Sequence, residues 1–206
     1  MTIPAAIVAQ FKRPQGLLGR VAGSIMASRP SNRQRNLWTV AQLGIDPEDR
    51  VLEIGCGPGF ALAACAEHLN SGMVTGLDHS GTMLAQAEKR NREAISANRV
   101  QLWQGDLDRL ATLCGEFDKV FSVNVVQFFE HRSEAFRTLS RLCAPGGLVA
   151  STYQPRHSGA SRDDALRMAR KIEDDMGAAG FVDMRCEKLA LLPAPAVCIL
   201  GKRPLE

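Results

Sequence analysis

The sequence has no apolar run near the roughly 18 uninterrupted residues that a bilayer span needs, because charge, proline or glycine interrupts every candidate. A spanning helix is not expected. The short apolar run Ile3 to Ala9 has no basic residue before it and no processing site after it, which argues against a cleaved leader and makes a soluble cytoplasmic protein the default. The six cysteines, Cys56, Cys65, Cys114, Cys143, Cys186 and Cys198, contain no CxxC pair, and none sits beside a histidine at zinc-ligand spacing. No metal is expected; scattered thiols in such a chain read as small buried hydrophobes in a reducing compartment. Acid is missing from residues 1–45, which hold Lys12, Arg13, Arg20, Arg29, Arg33 and Arg35. The overall charge of +3 thus hides a basic leader and a remainder of 19 basic against 22 acidic residues. Such a leader can face an anionic substrate, a phospholipid surface or nucleic acid.

A length of 206 residues with 45% hydrophobic and 23% charged residues suits one sizeable core. Leu17, Val21 and Ile25, with Leu18, Ala22 and Met26 beside them, form one apolar face of a glycine-weakened helix over 16–28. A second helix opens at Pro30 and Ser31, where Ser31 and Gln34 have capping-box spacing, and Gly44 closes it. Residues 1–45 are therefore a helical segment, a lid or a surface-binding element, ahead of a domain over 46–206.

From Arg50 the chain alternates short apolar runs with helical segments, the pattern of a parallel sheet with crossover helices. Strands are predicted at about 51–55, 73–77, 99–104, 117–122 and 147–153. Helices are predicted near 60–69, 81–95, 131–143 and 161–178, with a weaker one near 108–114. The final segment holds two strand-like runs separated by Pro193 and Pro195, a closing antiparallel pair.

The segment VLEIGCGPGF, residues 51–60, is a strand feeding a glycine turn that opens a helix, where main chain can approach a ligand closely. Against the dinucleotide fingerprint, Gly55 and Gly57 match, but Phe60 stands where the third glycine belongs. A phosphate-binding P-loop would end in Gly-Lys-Ser/Thr, which is absent. A ligand site is expected here, though a dinucleotide or triphosphate fits it poorly.

The glycine turn, with Glu53 inside the strand and Gly55, Gly57 and Gly59 after it, resembles the first motif of the class I S-adenosylmethionine-dependent methyltransferases. The resemblance extends through Asp78 at the end of GMVTGLD, QGD at 104–106, FDKVFSVNVVQFF at 117–129 and LCAPGGLV at 142–149. It implies a doubly wound α/β fold: a mostly parallel seven-stranded sheet, the last strand antiparallel, with helices on both faces and an N-terminal helical lid. It also implies S-adenosylmethionine as cofactor. The glycine loop, with Cys56, would then take the methionine and adenosyl groups on backbone amides, and Asp78 would accept from both ribose hydroxyls; a turn or helix-capping role is the alternative for Asp78. Asp106, with Gly105 and Leu107, resembles the adenine site, or else Asp106 caps the helix that follows. Glu53 would lie near the methionine end, or be a strand-end carboxylate held by amides or an arginine; burying it without a donor or cation is costly. His79 and Met83 can flank the adenosine, and Met83 can equally be core.

On the acceptor side, Asn124 resembles a position that faces the methionine end, and Gln127 and Phe128 lie in the segment expected near the cleft. The polar loop STYQPRHSGASR supplies Tyr153 and His157 as catalytic candidates, and Gln154 and Arg156 as substrate contacts together with Arg20. The signature (N/D)PP(Y/F) of base-amine methylation is missing after strand four, so nucleic acid is not the expected partner. The expected activity is methyl transfer to O, N or S of a small molecule. The rivals are a phospholipid N-methyltransferase that touches the membrane through its basic leader, a non-catalytic cofactor-binding protein, and a diverged NAD oxidoreductase.

Overall fold

The computed structural model describes residues 30–110 and 117–205. The helix expected over 16–28, Arg20, the lid or membrane role of the leader, and the end of the helical stretch expected at 108–114 lie outside the described residues.

Helix α1 (Pro30–Leu43) precedes strand β1 (Arg50–Ile54), which runs through the glycine turn into α2 (Phe60–His68). There follow β2 (Met73–Asp78), α3 (Gly81–Arg90), α4 (Arg92–Ser96), β3 (Val100–Gln104), a 3-10 turn at Leu107–Leu110 and β4 (Phe117–Val123). A second 3-10 turn, Val126–Phe128, leads to α5 (Arg132–Leu142), β5 (Cys143–Tyr153), α6 (Arg162–Ala178), β6 (Val182–Leu189) and β7 (Ala196–Lys202). The strands form one seven-stranded sheet in the order β3-β2-β1-β4-β5-β7-β6. The first five pair in parallel, and β7 runs antiparallel between β5 and β6.

Central strands covered on both faces read as continuous apolar runs, and β1 is buried from Val51 to Ile54. Alternation along each strand then splits the interior into two cores. Val120, Phe136, Leu139, Ile172 and Met176 fill the face under α5 and α6. Val40, Leu43, Val51, Leu62 and Phe121 fill the face under α1 and α2. Each such fully buried side chain contributes about 1.5 to 3 kcal/mol relative to exposure.

Three local expectations differ from the structure. The helical stretch at 81–95 breaks at Asn91, whose Nδ2 donates to Ala87 O at 2.8 Å and to Gly59 O at 3.1 Å. The side chain satisfies the end of α3 and holds the glycine loop at once. Helix α1 already starts at Pro30, so Ser31 lies inside it, and its hydroxyl accepts from Arg156 Nη1 at 3.3 Å where a capping box with Gln34 was expected. Strand β5 begins at Cys143, four residues before the expected start, where Cys143 pairs with Phe117. Gly44, with φ of 56°, closes α1 as expected. No helix among the described residues is long and apolar enough to cross a membrane.

Candidate functional site

Strand β1 has β2 and β3 on one side and β4 and the later strands on the other, so the connections diverge at its carboxyl end. In open α/β sheets this switch point leaves a crevice beyond the strand ends. The glycine loop stands there. Gly55, Gly57 and Gly59 have φ of 67°, 51° and 74°, a left-handed region costly for other residues. Their surroundings separate them. A Cβ on Gly55 would come within 2.6 Å of Val125 Cγ2, and one on Gly59 within 2.5 Å of Asn91 Nδ2 and 2.9 Å of Ala87 Cβ. A Cβ on Gly57 would meet nothing within 4 Å. Two of the glycines therefore let neighbouring elements close on the loop, and Gly57 is the one that faces open space.

The loop amides are turned inward. Gly55 N and Cys56 N donate to Leu77 O at 2.8 and 3.0 Å, Gly59 N to Cys56 O at 3.0 Å, and Gly57 N to Asp78 Oδ2 at 2.8 Å. Pro58 has no amide hydrogen. These bonds tie the loop to the end of β2 and engage the N–H groups of Gly55, Cys56, Gly57 and Gly59. Asp78 is buried, and its Oδ1 accepts from Ser80 N at 2.8 Å. The carboxylate thus serves the turn and the glycine loop together, and each oxygen retains acceptor capacity. Ser80 caps α3 through Met83 N. Met83 is buried in the helix interior, and the half-exposed His79 places Nδ1 3.7 Å from Asp78 Oδ1.

Glu53 is 2% exposed, and its Oε2 has no hydrogen-bond partner among the described residues. Burial, and then the charge of Asp78, hold its carboxyl well above its ordinary value. The same burial raises the Cys56 thiol, which is inert as a nucleophile in this setting. At the end of β3, Gly105 N donates to Asp78 O at 3.1 Å. Asp106 is exposed and accepts from Arg109 N at 3.4 Å, while Leu107 packs on the α5/α6 core.

Across the crevice, Asn124 ends β4 with φ of 57°. Its Oδ1 accepts from Gln154 N at 2.7 Å and its Nδ2 donates to Gln154 O at 3.2 Å. Gln127 is exposed and donates to Asn124 O at 2.7 Å, and Phe128 is also exposed. Gln154 is buried, donating through Nε2 to Ala194 O at 2.9 Å and Leu192 O at 3.3 Å. Its Oε1 accepts from Arg35 Nη1 at 2.6 Å and Arg156 Nη1 at 3.3 Å. The structure therefore gathers Asn124, Gln154 and Arg156. It also adds Arg35, one of the six basic residues of 1–45. The available signal was the polar stripe Asn32, Arg35, Asn36 and Thr39, spaced along one face of α1.

Tyr153 does not join that group, because alternation along β5 sends it to the face under α5 and α6. Burial and the charge of Asp164 raise its phenol. His157 is exposed, with Nδ1 3.0 Å from Ser158 O and Nε2 3.7 Å from Asp164 Oδ2. Asp164 itself closes the capping box of α6 with Ser161.

Comparison with known proteins agrees with this architecture. A family profile described as a methyltransferase domain matches residues 51–147. An uncharacterized methyltransferase of Bacillus subtilis, YdaC, is 33% identical over 184 residues, 89% of this chain and 98% of that protein. A trans-aconitate 2-methyltransferase of Deinococcus radiodurans is 29% identical over 64% of this chain and 48% of its own length. Among solved structures, phosphoethanolamine N-methyltransferase 2 of Haemonchus contortus, in complex with phosphomonomethylethanolamine and S-adenosylhomocysteine, superposes with a TM-score of 0.74. It is 17% identical, covers 98% of this chain and 61% of that one, and speaks to the fold. Strand order, glycine turn and near full-length similarity to a methyltransferase converge: the chain belongs to the class I S-adenosylmethionine-dependent methyltransferases.

Proposed function

We propose that this methyltransferase acts on a small-molecule acceptor at oxygen, nitrogen or sulfur, with S-adenosylmethionine held between the glycine loop and the ends of β2 and β4. The observation that carries the reading is the unpartnered, buried Oε2 of Glu53 under a loop whose amides are all engaged. Such a site suits a cation better than a phosphate. The cofactor carries an ammonium and a sulfonium and no phosphate, so the donor set fits it. Glu53 would hold the methionine end, Asp78 the ribose and Asp106 with Leu107 the adenine, while Gly57 leaves room for close approach. When bound, the cofactor supplies an electrophilic methyl group on sulfur.

The chain's part is mainly to hold an acceptor lone pair about 3 Å from that carbon, in line with the departing sulfur. Asn124 and Gln154 form the wall between the cofactor side and the acceptor side. For an acceptor that begins protonated, His157 is the candidate base, since Tyr153 turns to the face under α5 and α6. The name of the trans-aconitate enzyme supports a small-molecule acceptor for this chain as well. The phospholipid reading rests on the leader, outside the described residues.

Calorimetry tests the proposal: S-adenosylhomocysteine is expected to bind and NAD is not. Release of S-adenosylhomocysteine from a panel of small metabolites then identifies the acceptor. Binding of NAD in place of S-adenosylhomocysteine, or binding without turnover of any acceptor, would overturn it in favour of an oxidoreductase or a non-catalytic binder.

A further inference from the structure

We propose that Arg35 and Arg156 form a receptor for an oxyanion of the methyl acceptor, a carboxylate or a phosphate, beside the carboxyl end of β5. This rests on the reading of the crevice as a methyl-transfer site.

Arg35 is 4% exposed, yet among the described residues its guanidinium donates to the neutral oxygens Gln154 Oε1 at 2.6 Å and Asn32 Oδ1 at 2.5 Å. No carboxylate pairs with it among the described residues, and its Nε has no hydrogen-bond partner. A second guanidinium shares the same acceptor, since Arg156 Nη1 lies 3.3 Å from Gln154 Oε1. Burial and the neighbouring charge of Arg156 lower Arg35 to about 10, so it is still a cation at neutral pH. A buried guanidinium whose acceptors among the described residues are neutral, with a like charge beside it, is costly unless an anion joins it.

Turning the Gln154 amide cannot relieve the arrangement. Its Nε2 is fixed by the carbonyls of Leu192 and Ala194, which accept hydrogen bonds and cannot donate them. Thus Oε1 must face the arginines. The site also has an approach: Ser31, Gln34, Ala190, Leu191 and Leu192 line an open groove of about 430 Å³. Ser31 receives Arg156, and Leu192 receives Gln154. An acceptor in the groove can place its anionic group on half-buried Arg156 with the Arg35 charge behind it, as planar guanidiniums recognise carboxylate and phosphate.

The test uses full-length protein saturated with S-adenosylhomocysteine, heated with inorganic phosphate or malonate against chloride at equal ionic strength. Phosphate, malonate or both are expected to raise Tm beyond chloride, and the more effective anion names the group. Arg35→Gln and Arg156→Gln are each expected to abolish the gain with S-adenosylhomocysteine affinity unchanged. In the turnover assay, Arg156→Gln should raise KM for anionic acceptors by about tenfold or more. A merely structural pair would lower Tm in every salt without this anion-specific response. The proposal is overturned if neither anion exceeds chloride, or if the gain survives both substitutions. Arg156 is half-buried, so its variant decides the matter should Arg35→Gln fail to fold. Loss of S-adenosylhomocysteine binding in the wild type would instead sink the methyl-transfer reading, and the same titration without it would still test the arginine pair.

Discussion

Asn124 and Gln154 clasp one another across the ends of β4 and β5, the side-chain amide of Asn124 meeting both the N–H and the C=O of Gln154. The geometry mimics a sheet pair beyond the last regular rung, after Val123 and Thr152. It also requires a left-handed backbone at residue 124, which Asn tolerates better than most residues. Asn124→Ala should cost about 1 to 3 kcal/mol, since it leaves buried groups of Gln154 without partners. Asn124→Gly should lose the hydrogen bonds while retaining backbone tolerance, and so fall between Ala and wild type. Chemical denaturation checks the ranking; an Ala variant as stable as wild type would mean the clasp holds nothing.

The glycine loop predicts two kinds of damage. Gly59→Ala drives a methyl into Asn91 and Ala87 at a positive φ and should destabilise the fold by about 2 kcal/mol or more. Gly57→Ala meets no neighbour and should cost only about 1 to 2 kcal/mol from backbone strain. Its larger effect should be weaker S-adenosylhomocysteine binding, read by calorimetry on the folded variant. Equal stability losses, with cofactor affinity intact in Gly57→Ala, would count against Gly57 as the ligand-facing position.

Asp78→Ala should weaken S-adenosylhomocysteine by about 1 to 3 kcal/mol through lost charge-assisted hydrogen bonds. It should also loosen the loop, because Gly57 N and Ser80 N lose their acceptor. A folded variant with unchanged affinity would leave Asp78 as a turn residue alone.

Glu53 sets a pH dependence with a definite sign. Its folded carboxyl keeps a proton that the unfolded chain gives up near 4.5, so the folded state binds more protons over the interval between the two values. Stability of the ligand-free protein should therefore fall as pH rises above about 4.5 and level off once the folded group ionises. Glu53→Gln should flatten that slope. If the cofactor's ammonium sits there, S-adenosylhomocysteine affinity should climb with pH over the same interval in wild type and stay level in the variant. Thermal melts and calorimetry between about pH 5 and 8 separate these outcomes.

The strand-and-turn plan was legible because buried parallel strands carry dense apolar runs and because few residues suit the backbone of the glycine turn. Features that depend on long-range side-chain bonds were not. Met83, Leu84, Ala87, Ala94 and Ile95 continue a helical period through Asn91, and only the approach of Gly59 explains the break there. The separation of Tyr153 from Gln154 follows from strand alternation, once β5 is known to reach Tyr153. Arg35 was hidden among the acid-free basic residues of 1–45, and only the fold brings it to a glutamine just beyond the carboxyl end of β5.

The inward-turned amides of the glycine loop bear on how binding is driven. A segment already stitched to β2 and to Asn91 at the end of α3 would need little freezing if the cofactor binds against it, which would spare the entropy of ordering that mobile loops spend on association. Recognition at such a turn would be lock-like, with affinity governed by shape and by exchange of water for ligand rather than by closure of the loop.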